Sequence, residues 1–332
     1  MKIAMVSTPY ILTPPIKYGG AERVVSMLTE KLVQNGHDVT LFAIEGSKTS
    51  AELVKIWSQP EGQMNHLNLI RLLYKDIQKH GDFDIIHNHN YYAYDHLVKK
   101  EHLPIVTTMH VEAKNYSIES AKNSKYICIS KRQAILAKEI GFNVTKVIYN
   151  PTNTDLYTFY PNHGNELVFL GSIAPIKGTH IAIEAAEKTG LKLLIAGPVF
   201  DNEYYESLIE PKLKNKNIEY VGEVNHSEKV ELFSNALALL FPTQCEEPFG
   251  LVMTEAMACG VPVIGFNIGA VPEIIKEGKT GFVVNDISEM IKSVDKVYSI
   301  NCNSCRKRVE ENFSIDKITI DYEKLYCELA NE

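Results

Sequence analysis

The sequence predicts an α/β protein made of two doubly wound, Rossmann-like domains facing across a cleft. Short apolar runs of the kind a buried parallel sheet needs alternate with segments of helical period. The alternation stops once, at the polar, turn-forming run Asn150-Pro-Thr-Asn-Thr-Asp155, and then restarts for a second half of about equal length. A chain of 332 residues is long enough to bury two cores of ordinary size. The expected organisation is therefore a first domain over 1–155, a second over 156–313, and a final helical segment over 314–332.

Composition narrows the class. With 45% hydrophobic and 23% charged residues the chain reads as a soluble globular protein, and no apolar run of eighteen residues suggests a transmembrane helix. The opening run Met1–Ser7 is too short for a secretory signal and reads as a first strand, so a cytoplasmic location is expected. Residues 1–155 hold 18 Lys and Arg against 15 Asp and Glu, a net +3; the rest hold 16 against 26, a net −10. An acidic second half argues against a nucleic-acid partner. The mildly basic first half leaves an anionic acceptor, or a peripheral contact with a membrane surface, open.

In chain order, Lys2–Thr8 is a strand, residues 9–18 a Pro- and Tyr-rich loop, and Gly19-Gly20 opens a helix with Val24, Val25, Leu28 and Leu32 inward. Asp38–Ile44 is the second strand. The G-x-G-x-x-G spacing is absent, so no nicotinamide cofactor is expected. The glycine pair is either a bare-backbone approach to an anion or a simple hinge. Residues 46–82 are less regular, apart from an amphipathic stretch over 66–79 whose Leu69, Ile70, Leu73 and Ile77 suit a core-facing helix, or alternatively a membrane-surface one. Strands follow at Asp84–Asn90 and Pro104–His110, placing His87, His89 and His110 at strand ends. Three histidines without an acidic or cysteine fourth ligand make a poor metal site, so no metal is expected. They suit the lining of a cleft, with a satisfied core histidine as the alternative for His110. Tyr126–Ser130, a helix over Lys131–Ile140 stopped by Gly141, and Val144–Asn150 complete the first half.

The second half runs strand Glu166–Ser172, loop Ala174–Gly178, helix Thr179–Thr189, then strands Lys192–Gly197, Ile218–Gly222 and Ala238–Thr243. Helices are expected from Ser288 to the end. Cys302-Asn-Ser-Cys305 is a lone C-x-x-C, weak support for either zinc or redox chemistry. The chemistry concentrates in Glu247-Pro-Phe-Gly-Leu-Val-Met-Thr-Glu-Ala-Met-Ala-Cys-Gly260, between strand Ala238–Thr243 and the next strand, Val261–Phe266. Gly250 permits close approach, residues 251–258 favour a helix, and the backbone of Phe249, Gly250, Leu251 and Val252 is placed to face an anionic diphosphate. Glu247 on the loop and Glu255 in the helix would repel phosphate but accept from sugar hydroxyls. A plain helix with two exposed acids is the alternative.

The string Glu247-Pro-Phe-Gly-Leu-Val-Met-Thr-Glu255 resembles the Glu-x7-Glu motif of the retaining GT-B glycosyltransferases of family 4, and the likeness runs from Gly19-Gly20 through this motif. The resemblance implies a hexosyl transfer from a nucleotide-diphosphate sugar, most readily UDP-glucose, to an acceptor hydroxyl by front-face substitution, without metal or cofactor. It implies Glu247 at the donor sugar, Glu255 at the ribose, His110 at the sugar, Gly19 and Gly20 near the diphosphate, and Lys177 on it. Family members usually carry Gly-Arg-x-x-x-x-Lys-Gly where this chain has Gly171-Ser172-Ile-Ala-Pro-Ile-Lys177-Gly178, so Ser172 replaces a cation. The GT-B likeness also implies a C-terminal helix crossing back to the first domain. The acceptor (glycan, lipid, protein or small molecule) stays open. Two rivals remain: a sugar-nucleotide epimerase of the same architecture, and a weakly active donor-binding partner subunit.

Overall fold

The computed structural model of the protein describes residues 1–9, 11–56, 73, 75–77, 79–90, 104–116 and 124–331. The chain divides into two compact units, Met1–Pro151 with Ile315–Glu332, and Thr152–Ser314.

In the first unit the strands are β1 (Lys2–Val6), β2 (Asp38–Ala43), β3 (Glu52–Lys55), β4 (Ile85–Asn88), β5 (Ile105–Met109), β6 (Lys125–Cys128) and β7 (Val144–Val147). They pair in the order β3-β2-β1-β4-β5-β6-β7, all parallel. β1 is buried from Ile3 to Val6, as a strand covered on both faces must be. On one face the helix Gly20–Gln34 contributes Val25, Leu28 and Leu32 to a core with Ile3, Met5, Val39 and Leu41. The C-terminal helix Ile315–Ala330 closes the same core with Ile318, Tyr322, Leu325 and Leu329, an i, i+3, i+4 stripe. So the last helix of the chain belongs to the first unit. Burying each such side chain contributes about 1.5–3 kcal/mol, enough for the stripe to dock the helix.

The other face is covered by Leu73, Ile77 and Phe83, packed on Ala4, Val6, Phe42 and Ile86. Leu73 and Ile77 thus turn inward as their spacing suggests; Leu69 and Ile70 of the same amphipathic stretch lie outside the described residues. β3 was not legible in the sequence, because Glu-Leu-Val-Lys is too short to show a period and its burial comes from pairing with β2. Lys131–Ile140 forms as expected: the Ser130 hydroxyl caps Gln133 N at 3.1 Å, and Gly141 ends it in the left-handed region.

In the second unit β8 (Glu166–Leu170), β9 (Lys192–Ala196), β10 (Ile218–Gly222), β11 (Ala236–Phe241), β12 (Val263–Phe266) and β13 (Gly281–Val284) pair in the order β10-β9-β8-β11-β12-β13, again all parallel. β13 is a further strand the sequence reading omitted; it begins at a Gly281 pressed on β12, where a Cβ would lie 1.9 Å from Val263 O. The unit begins and ends side by side, with Thr152 N donating to Phe313 O at 2.7 Å. Both sheets reverse direction once, between β1 and β4 and between β8 and β11. In open parallel sheets ligands bind beyond the strand C-termini at such reversals.

Gly197, just past β9, sets how closely β9 approaches β8. Its φ is 137°, and a Cβ there would lie 1.9 Å from Gly171 O. Gly197→Ala is expected to cost about 2–4 kcal/mol, measured as a lowered urea midpoint for the second unit.

Candidate functional site

In the second unit the reversal brings two loops together. One follows β8 and carries Ser172 and Lys177; the other follows β11 and carries Glu247 and Gly250. They are tied by backbone and side chain: Gln244 N donates to Ile176 O at 2.8 Å, Gln244 Nε2 to Pro175 O at 2.9 Å, and Thr243 Oγ1 to Ile176 O at 3.3 Å. Gly178 allows the close fit, since a Cβ on it would meet Pro242 O at 2.1 Å with φ at 74°. Lys177 Nζ then donates to Glu247 Oε2 at 2.5 Å, both side chains largely shielded from water.

Glu247 is held from a third side. Ala270 N donates to Glu247 O at 2.9 Å, and a Cβ on Gly269 would lie 2.5 Å from Glu247 N. The Gly269-Ala270 loop after β12 therefore seats the glutamate's backbone, a support the sequence reading missed because Gly269 lies 22 residues away. Gly250, at φ 81°, precedes the helix Leu251–Ala258 without any side-chain cap. An uncapped helix N-terminus presents backbone N–H donors and the positive end of the dipole. Leu251 and Val252 are half-buried there, whereas the Phe249 ring turns inward against Phe313 at 5.7 Å, so only its backbone can face a ligand. Ser172 is also buried and brings no charge.

Glu255, in the same helix, is not an exposed acid: it is 6% exposed and paired with an equally buried Lys229. Tyr157 OH donates to the same oxygen, Glu255 Oε1, at 2.7 Å, and the Lys229 ammonium lies 5.5 Å from the Tyr157 ring centre. The sequence reading passed over Lys229 and Tyr157. The signal was a lysine three residues before Leu232 on the inward face of the helix His226–Leu232, whose Asn225 and Glu228 form a capping box.

In the first unit Gly19 and Gly20 follow β1. Gly19 has φ 145°, and a Cβ on it would meet Ile11 at 2.5 Å and Pro15 at 2.7 Å, which requires a glycine. Glu22, buried in the first turn of the following helix, accepts from Thr8 Oγ1, and its carboxyl is pushed above the usual range by burial. His89 and His110 follow β4 and β5, and His89 Nδ1 lies 2.7 Å from His110 Nε2. His87 Nδ1 meets Tyr326 OH at 2.6 Å, its Nε2 meets Thr108 Oγ1 at 2.7 Å, and Tyr322 OH lies 3.2 Å from the same Thr108 oxygen. Burial holds His87 and His89 well below the ordinary imidazole value and His110 down to about 3. Both ring nitrogens of His87 and of His89 are engaged by protein groups, and no group of three or more potential ligands that could hold a metal occurs among the described residues. Cys302 and Cys305 are both buried with thiols pushed up by burial, the reverse of what a reactive pair needs.

The family model described as glycosyl transferases group 1 matches residues 159–313, and that described as glycosyltransferase family 4 matches residues 18–156. The chain belongs to the group 1 glycosyltransferases. It is a glycosyltransferase enzyme of GT-B architecture. Spore coat protein SA of Bacillus subtilis is 24% identical over 98% of this chain and 99% of its own length. An uncharacterised glycosyltransferase of Methanocaldococcus jannaschii is 28% identical over 77% of this chain and 79% of its own. Among solved structures, sucrose-phosphate synthase of Thermosynechococcus elongatus superposes with a TM-score of 0.82 at 20% identity, covering 99% of this chain and 98% of its own. HepE of Anabaena, solved in complex with UDP-glucose, superposes with a TM-score of 0.78 at 17% identity, covering 99% and 100%.

The titratable groups this glycosyltransferase buries make its stability sensitive to substitution and to pH. Lys229→Met leaves the Glu255 carboxylate buried without its cation and is expected to cost about 3–5 kcal/mol; adding Glu255→Gln recovers most of it, read by urea denaturation of the single and double variants. For the fully buried His87 and His89, the folded pKa lies below the unfolded value of 6.5, so the unfolded chain binds the extra protons. Their stabilisation is complete above pH 6.5 and is lost as pH falls. As pH falls below 6.5 both are expected to destabilise the first unit, measured as a urea midpoint that declines toward acid pH and does so less steeply in His87→Gln.

Proposed function

We propose that the protein transfers a hexose from a nucleotide-diphosphate sugar, UDP-glucose foremost, to an acceptor hydroxyl with retention of configuration. The observation that carries this reading is the Lys177–Glu247 pair beside the uncapped Leu251–Ala258 helix at the β8/β11 reversal. In this reading the amides following Gly250 and the Lys177 ammonium hold the diphosphate, whose negative charge grows as the bond to the sugar breaks. Lys177 then serves two anions, the phosphate and the Glu247 carboxylate. Glu247 accepts from hydroxyls of the donor sugar and Glu255 from the ribose, while His110 contacts the sugar and the bare backbone at Gly19 and Gly20 admits the diphosphate. The HepE complex with UDP-glucose supports that donor.

The step is a front-face substitution. The sugar–phosphate bond breaks, the acceptor oxygen bonds the same carbon from the same face, and a donor phosphate oxygen takes the acceptor's proton. No metal enters, because the cation and the helix N-terminus supply the positive potential. The acceptor is a glycan, lipid or small molecule, and the mildly basic first half suits an anionic one or a peripheral membrane contact; no described helix is long and apolar enough to cross a membrane. Buried, uncharged Ser172 favours a second reading, a weakly active donor-binding subunit.

The test is nucleotide release from a panel of UDP- and GDP-sugars, with product configuration read by NMR. One donor is expected to release nucleotide, with Glu247→Ala and Lys177→Ala each lowering the rate by about 10²-fold or more. Donor binding by calorimetry without turnover, in the presence of an acceptor mixture, would instead establish the binding-subunit reading.

A further inference from the structure

His110 enters the proposed reaction as a sugar contact, and an imidazole can either donate or accept there. Its hydrogen-bond neighbours decide between the two. His89 lies between His110 and Met5: its Nε2 is 3.2 Å from Met5 Sδ, its Nδ1 is 2.7 Å from His110 Nε2, and the two rings are nearly parallel with an interplanar angle of 23°. A thioether sulfur has lone pairs and no proton, so it only accepts. His89 Nε2 must therefore carry the hydrogen.

A neutral imidazole carries one N–H, so His89 Nδ1 is then a lone pair. The short contact to His110 Nε2 is attractive only if that nitrogen donates. A neutral His110 protonated at Nε2 has a bare Nδ1. Neutrality follows from the surroundings: His89 is fully buried, His110 is half-buried beside it at the ends of parallel strands, and no carboxylate bonds either ring among the described residues. The residue's backbone is anchored separately, His110 N donating to Tyr116 OH at 2.9 Å.

We propose that His89 is a positioning residue that locks His110 as the Nε2–H tautomer, so that His110 Nδ1 is a hydrogen-bond acceptor and takes a hydroxyl of the donor sugar. An acceptor nitrogen repels a phosphate oxygen or a carbonyl and selects a group with an O–H. His110 thus acts with the two glutamates as an acceptor for sugar hydroxyls, whereas Lys177 and the helix N-terminus supply the donors for phosphate. This deepens the donor-sugar placement of His110 and rests on it.

The full-length protein labelled with ¹⁵N-histidine is examined at pH 7 by long-range ¹H–¹⁵N spectra, with the rings assigned through His89→Asn and His110→Asn. Both His89 and His110 are expected to show a protonated Nε2 and an unprotonated Nδ1. A His110 ring protonated at Nδ1, or a doubly protonated one, overturns the proposal. The functional arm uses the active donor and its singly deoxygenated analogues. One deoxy donor is expected to lose roughly tenfold in kcat/KM with the wild type, the equivalent of one hydrogen bond. His89→Leu, which takes away the acceptor for Nε2–H, should abolish that discrimination, and His89→Asn, whose side-chain carbonyl accepts the same hydrogen, should restore it. Equal use of all deoxy donors by the wild type overturns the hydroxyl assignment even if the tautomer is as expected. Failure of the transferase reading itself appears differently: no donor turns over, while the tautomers remain readable.

Discussion

The constraint on which the site depends is the single reversal of strand order in each parallel sheet. Where β8 pairs with β11, the chain leaves both strands at their C-terminal ends in opposite lateral directions, so the loops beyond them border an opening that no crossover helix covers. Lys177 and Glu247 are 70 residues apart in sequence and meet only because of that pairing. The same geometry in the first unit sets the loop after β1, with Gly19 and Gly20, beside the loop after β4, with His89.

Charge is handled differently at the two positions of the Glu-x7-Glu motif. Glu247 pairs with Lys177 where both side chains are largely, but not wholly, shielded from water, so the pair opens to another anion at less cost than a fully buried one. Glu255 and Lys229 are almost fully buried, and such a pair is weak as a source of stability because desolvation offsets the attraction. Its effect is on geometry: with Lys229 and Tyr157 both donating to Oε1, the Glu255 carboxylate has one orientation. The first unit has a comparable arrangement in neutral groups. Tyr322 and Tyr326 reach from the C-terminal helix into the ends of the strands, where Thr108 and His87 satisfy their hydroxyls. The last helix is therefore joined to the histidine cluster as well as to the apolar core.

Most elements were legible because their signals are local. Helix Thr179–Thr189 and strand Ile218–Gly222 have the ends that their glycines and periodicity indicate. Strands β3 and β13 were not legible, since four residues carry no period and both owe their burial to a neighbouring strand. Of the candidate residues, the glutamates could be named from residue type and spacing, and Lys177 and His110 from the family resemblance, but nothing in the string around Glu255 points to Lys229 or Tyr157.

By itself the sequence determined the class of fold and the family and named the candidate side chains, because these reside in runs of adjacent residues: apolar strands, the Glu247–Glu255 string, the glycines beside it. Only the tertiary structure decided what each of those side chains faces. Partnership depends on strand order and on close backbone approach, as at Gly178 against Pro242, and both are properties of residues far apart in the chain. That is why Lys177 is found on Glu247, Lys229 on Glu255, and His89 on His110.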